Sequence, residues 1–222
     1  MSLIKSISGF RGTIGGKPGD NLTPIDAVKF AAAYGTWLKN QSNQSEYKVI
    51  VGRDARISGQ MVSQLVCSTL QGLGINVVDL GLSTTPTVEV MVTHLHADGG
   101  IILTASHNPK EWNALKLLNA KGEFVSAADG AQILAFADKD DYTFAEVDDL
   151  GSYETFDDAI DLHIEKILAL PLVNAKAIQE KNFKVAIDAV NSTGGIAIPK
   201  LLQRLGVIHY DMYCEPNGHF PH

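Results

Sequence analysis

Short apolar runs rich in β-branched residues alternate with amphipathic stretches of helical period along most of this chain, and that alternation limits the fold more than any other feature. Tyr47 to Val51, Ile75 to Leu80, Gly99 to Thr104 and Ala114 to Leu118 read as strands, followed later by Phe183 to Asp188 and Val207 to Tyr213. Between them, Thr23-Pro24-Ile25-Asp26 opens a helix: Thr23 can cap free amides, Pro24 suits the first turn and Asp26 complements the dipole. Val28, Ala31, Ala32, Gly35 and Leu38 then share one face. Ser58 is expected to cap a second helix carrying Val62, Leu65, Val66 and Leu70, and further helices are expected near Pro86 to His94, Ala127 to Ala137, Phe156 to Leu170 and Gly194 to Leu205. Strands separated by helices of this length form an α/β sheet covered on both faces.

Charge divides the chain. The formal net charge is -7, yet Asp138 to Glu165 alone holds eight Asp and three Glu against the single Lys139. The remainder carries 17 basic and 14 acidic side chains, so it can accept an anionic ligand locally. No basic cluster interleaved with aromatics is present, which argues against a nucleic-acid partner. No apolar run approaches the roughly 18 residues of a membrane span, and Met1 to Ser6 leads into no signal-peptide core, so a soluble cytoplasmic protein is expected. Cys67 and Cys214 are too few for a disulfide framework or a cysteine zinc site. The acidic stretch fails the calcium-loop pattern at Tyr142 and Asp149, and reads as a solvated linker. The expected organisation is a first domain over 1–138, an acidic connector over 139–155, and the start of a second α/β domain over 156–222.

The sharpest local feature is Thr104-Ala105-Ser106-His107-Asn108-Pro109, small and polar residues directly after a buried strand, where α/β proteins hold ligands. Its composition is equally that of a plain turn. A serine-hydrolase reading is weaker, because neighbouring side chains diverge and no Gly-x-Ser-x-Gly elbow is present. Three other segments surround the loop in sequence: Ser8-Gly9-Phe10-Arg11-Gly12-Thr13, Gly52-Arg53-Asp54-Ala55-Arg56 and Asn113-Ala114-Leu115-Lys116.

In order and spacing this set resembles the α-D-phosphohexomutases, the phosphoglucomutase/phosphomannomutase superfamily, and Asp188-Ala189-Val190-Asn191-Ser192-Thr193-Gly194-Gly195 is similar to the opening of that family's second domain. The resemblance implies a three-layer α/β/α first domain, an incomplete second one, and interconversion of hexose 1-phosphate and hexose 6-phosphate through a phosphoserine and a hexose 1,6-bisphosphate. By the same resemblance Ser106 is the phosphoserine, with a phosphate oxygen on Mg²⁺ whose carboxylate ligands lie beyond the chain. Lys116 is then a general acid or base on the sugar hydroxyl or a cation beside it, His107 contacts the reacting phosphoryl group, Arg11 helps hold it, and Arg11, Asn108, Lys116 and Arg56 contact substrate. Protonated lysine is a poor base at neutral pH, so that role requires burial or a nearby cation to lower its pKa.

Two departures from the family pattern stand out. Asn113-Ala114 replaces the usual Asn-Gly, which matters if that position requires a positive φ. The family's Asp-Gly-Asp-x-Asp-Arg metal loop, Gly-Glu-x-Ser-Gly sugar motif and Arg-x-Ser-Gly-Thr phosphate motif are absent. The expectation is therefore about half of a mutase, inactive alone and prone to self-association through its half-built second domain. Phosphoglucosamine mutase shares every motif present, and a non-catalytic sugar-phosphate-binding module is the reading from another class.

Overall fold

The computed structural model describes residues 2–6 and 9–222; Ser8, quoted above with the N-terminal motif, lies outside the described residues. Seven strands form one sheet in the order β1-β2-β6-β5-β3-β4-β7, with β1 at Ile4–Ser6, β2 at Gly9–Thr13, β3 at Tyr47–Arg53, β4 at Ile75–Leu82, β5 at Gly99–Leu103, β6 at Trp112–Leu118 and β7 at Tyr153–Thr155. The half built from β3, β4, β5 and β7 is parallel, while β1, β2 and β6 pair antiparallel, so the sheet is mixed.

Side-chain alternation divides the core into two layers. Val49, Val51, Ile101, Leu103, Leu115 and Leu117 face helices α1 (Pro24–Lys39), α2 (Gly59–Gly72) and α4 (Ala127–Lys139). Ile50, Val78, Ile102 and Leu118 face α3 (Thr85–His94) and the start of α5 (Ala159–Leu168). Burial on both faces accounts for the near-continuous apolar runs of the central strands. The α1 N-terminus is fixed as its sequence predicts: Thr23 accepts from the Asp26 amide, and the Asp26 carboxylate accepts from the Thr23 backbone amide.

A second unit follows, in which β8 (Lys184–Asp188) and β9 (Ile208–Met212) pair in parallel beside α6 (Ala175–Glu180) and α7 (Gly194–Arg204). Helix α5 joins the two units. Its His163 Nδ1 lies 3.0 Å from Thr87 Oγ1 of α3, and on the other side Lys200 and Arg204 of α7 pair with Asp161 and Glu165.

One expectation is corrected. Ser58 does not cap α2 with its side chain; its hydroxyl accepts from Asn113 Nδ2 at 3.0 Å instead. The acidic connector is exposed along most of its length and is also anchored to the sheet: the Ala145 and Gly151 amides donate to the Gly72 and Gln71 carbonyls, and Tyr153–Thr155 pairs with Val77 to Asp79 as an edge strand. The two strands β1 and β2 carry no apolar alternation and are created by pairing, β2 along β6.

Candidate active site

The Ser106 loop leaves the sheet at the C-terminal end of β5, next to the loop that follows β3. Ser106 stands in the left-handed region at φ +56° with its side chain exposed. For a non-glycine residue that conformation costs on the order of 1–2 kcal/mol and persists only where its neighbours impose it. Here they do. Thr104 Oγ1 accepts from the Ser106 amide at 3.1 Å and donates to Asp54 Oδ2 at 2.6 Å, and the Asn108 amide donates to the Ala105 carbonyl.

Arg56 supplies the rest. It is 1% exposed and the largest fully buried side chain among the described residues. A guanidinium has five N–H donors, and all are used: Nε on Asp54 Oδ2 at 3.0 Å, Nη1 on the Pro109 and Trp112 carbonyls at 2.7 and 2.9 Å, and Nη2 on the Ser106 and Asn108 carbonyls at 2.9 and 2.7 Å. Arg56 therefore has no N–H left for a ligand and shapes the loop from beneath, which departs from the substrate contact expected of it.

Arg11 and Lys116 reach the loop from the antiparallel side of the sheet. In the β2–β6 register Gly9 pairs with Lys116 and Arg11 with Ala114. Phe10 turns into the core and stacks on Phe30 with centroids 3.8 Å apart, so Arg11 points to the opposite face, as does Lys116 between the buried Leu115 and Leu117. Gly9 makes this approach possible, since a Cβ there would sit 2.1 Å from the Leu115 carbonyl oxygen. Ala114 lies in β6 outside the left-handed region, so alanine stands there without strain.

Arg11, Ser106, His107 and Lys116 together line a cleft of about 390 Å³. Burial holds the Lys116 ammonium below the ordinary lysine pKa; Asp54 and Glu89 oppose that shift, and the cations Arg11 and Arg56 add to it. Glu89, on α3, is itself raised by burial, with Lys116 opposing. The opposite side of the loop borders a larger hollow of about 860 Å³ between the two units, lined by Ser106, His107 and Asn108 on one side and by Val190, Thr193 and Phe220 on the other. Ser106 and His107 are thus shared by both spaces.

A divalent cation does not fit the side chains present. Among the described residues no three His, Cys, Asp or Glu converge. Asp54, in the loop network, has both oxygens occupied, Oδ1 by the Arg56 amide and Oδ2 by Arg56 Nε and Thr104 Oγ1. No helix among the described residues is long and apolar enough to cross a membrane.

Sequence reasoning named Arg11, Ser106, His107, Asn108, Lys116 and Arg56, and the structure gathers them around one loop. It missed the positioning work of Asp54 and Thr104, both of which stand inside quoted motifs, and the proximity of Glu89, for which the sequence carries no local signal.

Residues 3–144 match the family model described as phosphoglucomutase/phosphomannomutase, alpha/beta/alpha domain I, and residues 161–222 match the corresponding domain II. A phosphoglucomutase/phosphomannomutase of Thermococcus kodakarensis is 34% identical over 212 residues, which are 95% of this chain and 46% of the relative. A phosphoglucosamine mutase of Alkaliphilus oremlandii is 31% identical over 203 residues, 89% of this chain and 43% of the relative. A crystal structure of a phosphoglucomutase/phosphomannomutase family protein from Burkholderia thailandensis superposes with a TM-score of 0.79 at 24% identity, covering 99% of this chain and 46% of that one, a likeness of fold. The chain spans just under half the length of the relatives it matches.

Proposed function

The chain belongs to the phosphoglucomutase/phosphomannomutase family, and from that premise we propose that Ser106 carries the phosphoryl group exchanged with a hexose phosphate, interconverting the 1- and 6-phosphates through a hexose 1,6-bisphosphate. The observation that carries this reading is the cleft itself, an exposed serine on a left-handed loop held by Asp54, Thr104 and Arg56, opposite the Arg11 guanidinium and the Lys116 amine. Phosphoryl transfer demands mostly positioning and neutralisation of charge on the equatorial oxygens, and this arrangement supplies both.

In the forward half-reaction a sugar hydroxyl oxygen bonds to phosphorus, the bond from phosphorus to Ser106 Oγ breaks, and neutral Lys116 takes the hydroxyl proton and passes it to the departing Ser106 Oγ. In the return half, Ser106 Oγ takes a phosphoryl group from the bisphosphate, and Lys116 carries the serine proton back to the departing sugar oxygen. The lowered Lys116 pKa supports this cycle because it increases the neutral fraction that can act as base. Arg11 pairs with phosphate oxygens, and His107 and Asn108 contact the reacting group and the sugar from the hollow side.

The likeness to a phosphoglucosamine mutase over the same region supports including amino sugars among the hexose phosphates proposed as substrates. We further propose that this activity resides in a longer polypeptide, in which this chain supplies the phosphoserine cleft. The test is Ser106→Ala in that longer protein. Turnover is expected to vanish with the melting temperature retained, and unchanged turnover would remove Ser106 from the mechanism.

A further inference from the structure

With every N–H of Arg56 engaged in its plane, only the flat faces of the guanidinium remain, and one is covered from the other end of the chain. Arg56 Cζ lies 5.0 Å from the centroid of the Phe220 ring, within cation–π distance.

That contact is held from both sides. Gly218 sits at φ +74° against the turn after β3, so close that a Cβ would lie 2.1 Å from the Ala55 carbonyl oxygen. From the second unit, Asn191 Nδ2 donates to the His219 carbonyl at 2.9 Å and the Gly218 amide donates to the Asn191 carbonyl at 3.1 Å. Asn191 is itself left-handed at φ +55°, with its amide on the Tyr213 carbonyl at 2.6 Å. Residues 218–220 are therefore clamped between the loop after β8 and the Ala55–Arg56 turn, and the clamp delivers an aromatic ring to the cation that holds four loop carbonyls.

We propose that Phe220 is a positioning residue for the Ser106 loop, acting through Arg56, so that docking of the second unit sets the order of the loop in the first. A ring on the guanidinium face excludes water from the Arg56 hydrogen bonds and restrains its tilt, and the carbonyls of Ser106, Asn108, Pro109 and Trp112 follow. The catalytic meaning of that order rests on the reading of Ser106 given above. The coupling itself does not.

The experiment is residue-resolved amide hydrogen exchange on the 222-residue chain, comparing wild type, Phe220→Leu and Phe220→Tyr. The amides of Ser106, Asn108 and Trp112 are hydrogen-bonded within the loop and serve as reporters. In Phe220→Leu, which keeps apolar bulk without a π face, their exchange is expected to quicken roughly threefold to tenfold, the size a partly desolvated cation–π contact supports, while the Val49 to Val51 amides of β3 are unchanged. Phe220→Tyr is expected to restore wild-type rates. Loop exchange at wild-type rates in Phe220→Leu, or equal loosening in Leu and Tyr, would overturn the proposal and leave Phe220 as surface cover. Whether Ser106 takes up phosphate is read separately by mass spectrometry, so the two claims fail separately.

Discussion

Arg56 and Asp54 look, as letters in a sequence, like a surface ion pair of small worth, and the structure reverses that reading because the pair is buried. The Arg56 side chain is fully buried and that of Asp54 is 12% exposed. Removing one partner of a buried, fully hydrogen-bonded pair strands the other, with a typical cost of about 3–5 kcal/mol. Arg56→Met is expected to lose that much in urea unfolding, and a loss under about 1 kcal/mol would contradict the role of Arg56 as the hub of the loop. Lys116 allows a test by pH. Its folded pKa lies below 10.5 because of burial, so below both values the folded chain bears the cost of a half-buried ammonium. Between the folded value and 10.5 the unfolded chain holds a proton that the native chain has released, and stability rises with pH across that window. Lys116→Met is therefore expected to be more stable than wild type at neutral pH, with the gap closing as pH approaches 10.5; a constant gap would deny the shift. Ser106, Lys116 and Arg11 stood out only through the motifs that resemble the family, since on local composition alone a turn and surface cations fit them as well. The task of Arg56 was not legible, because sequence cannot say how many of its donors are already spent.

At the scale of elements, the buried strands and amphipathic helices were legible and the edges were not. The run Gly99 to Leu103 is buried on both faces and announces itself, whereas Gly9–Thr13 has no apolar alternation and becomes a strand only because β6 offers a partner. Tyr153–Thr155 is likewise too short and too polar to read, yet it extends the parallel edge beside β4. The junction of α5 with α3 turns on His163, whose pKa is lowered by burial and whose Nδ1 meets Thr87 Oγ1. A histidine buried neutral contributes stability that is present above its unfolded value of 6.5 and lost as pH falls through 6.5 toward the folded value. Urea midpoints at about pH 7.5 and about pH 5.5, on either side of the ordinary histidine value, are expected to fall less on acidification in His163→Gln than in wild type. An equal fall in both would remove His163 from that junction.

At the scale of the molecule, the second unit contributes a two-stranded sheet, a clamp on the Arg56 turn and one wall of the hollow beside Ser106. The chain covers just under half of its relatives, and its described side chains assemble no cation site of their own. The purified 222-residue chain is accordingly expected to show no steady mutase turnover in a coupled assay with hexose 1-phosphate, and sustained turnover would refute the division of labour proposed for the longer protein. Whether Ser106 carries the phosphoryl group is read by peptide mass spectrometry of the longer protein after incubation with a hexose 1,6-bisphosphate. One phosphoryl group is expected on the peptide containing Thr104 to Pro109, assigned to Ser106 and absent in Ser106→Ala. Phosphate on a different residue, or active turnover with that peptide never modified, would contradict that role of Ser106.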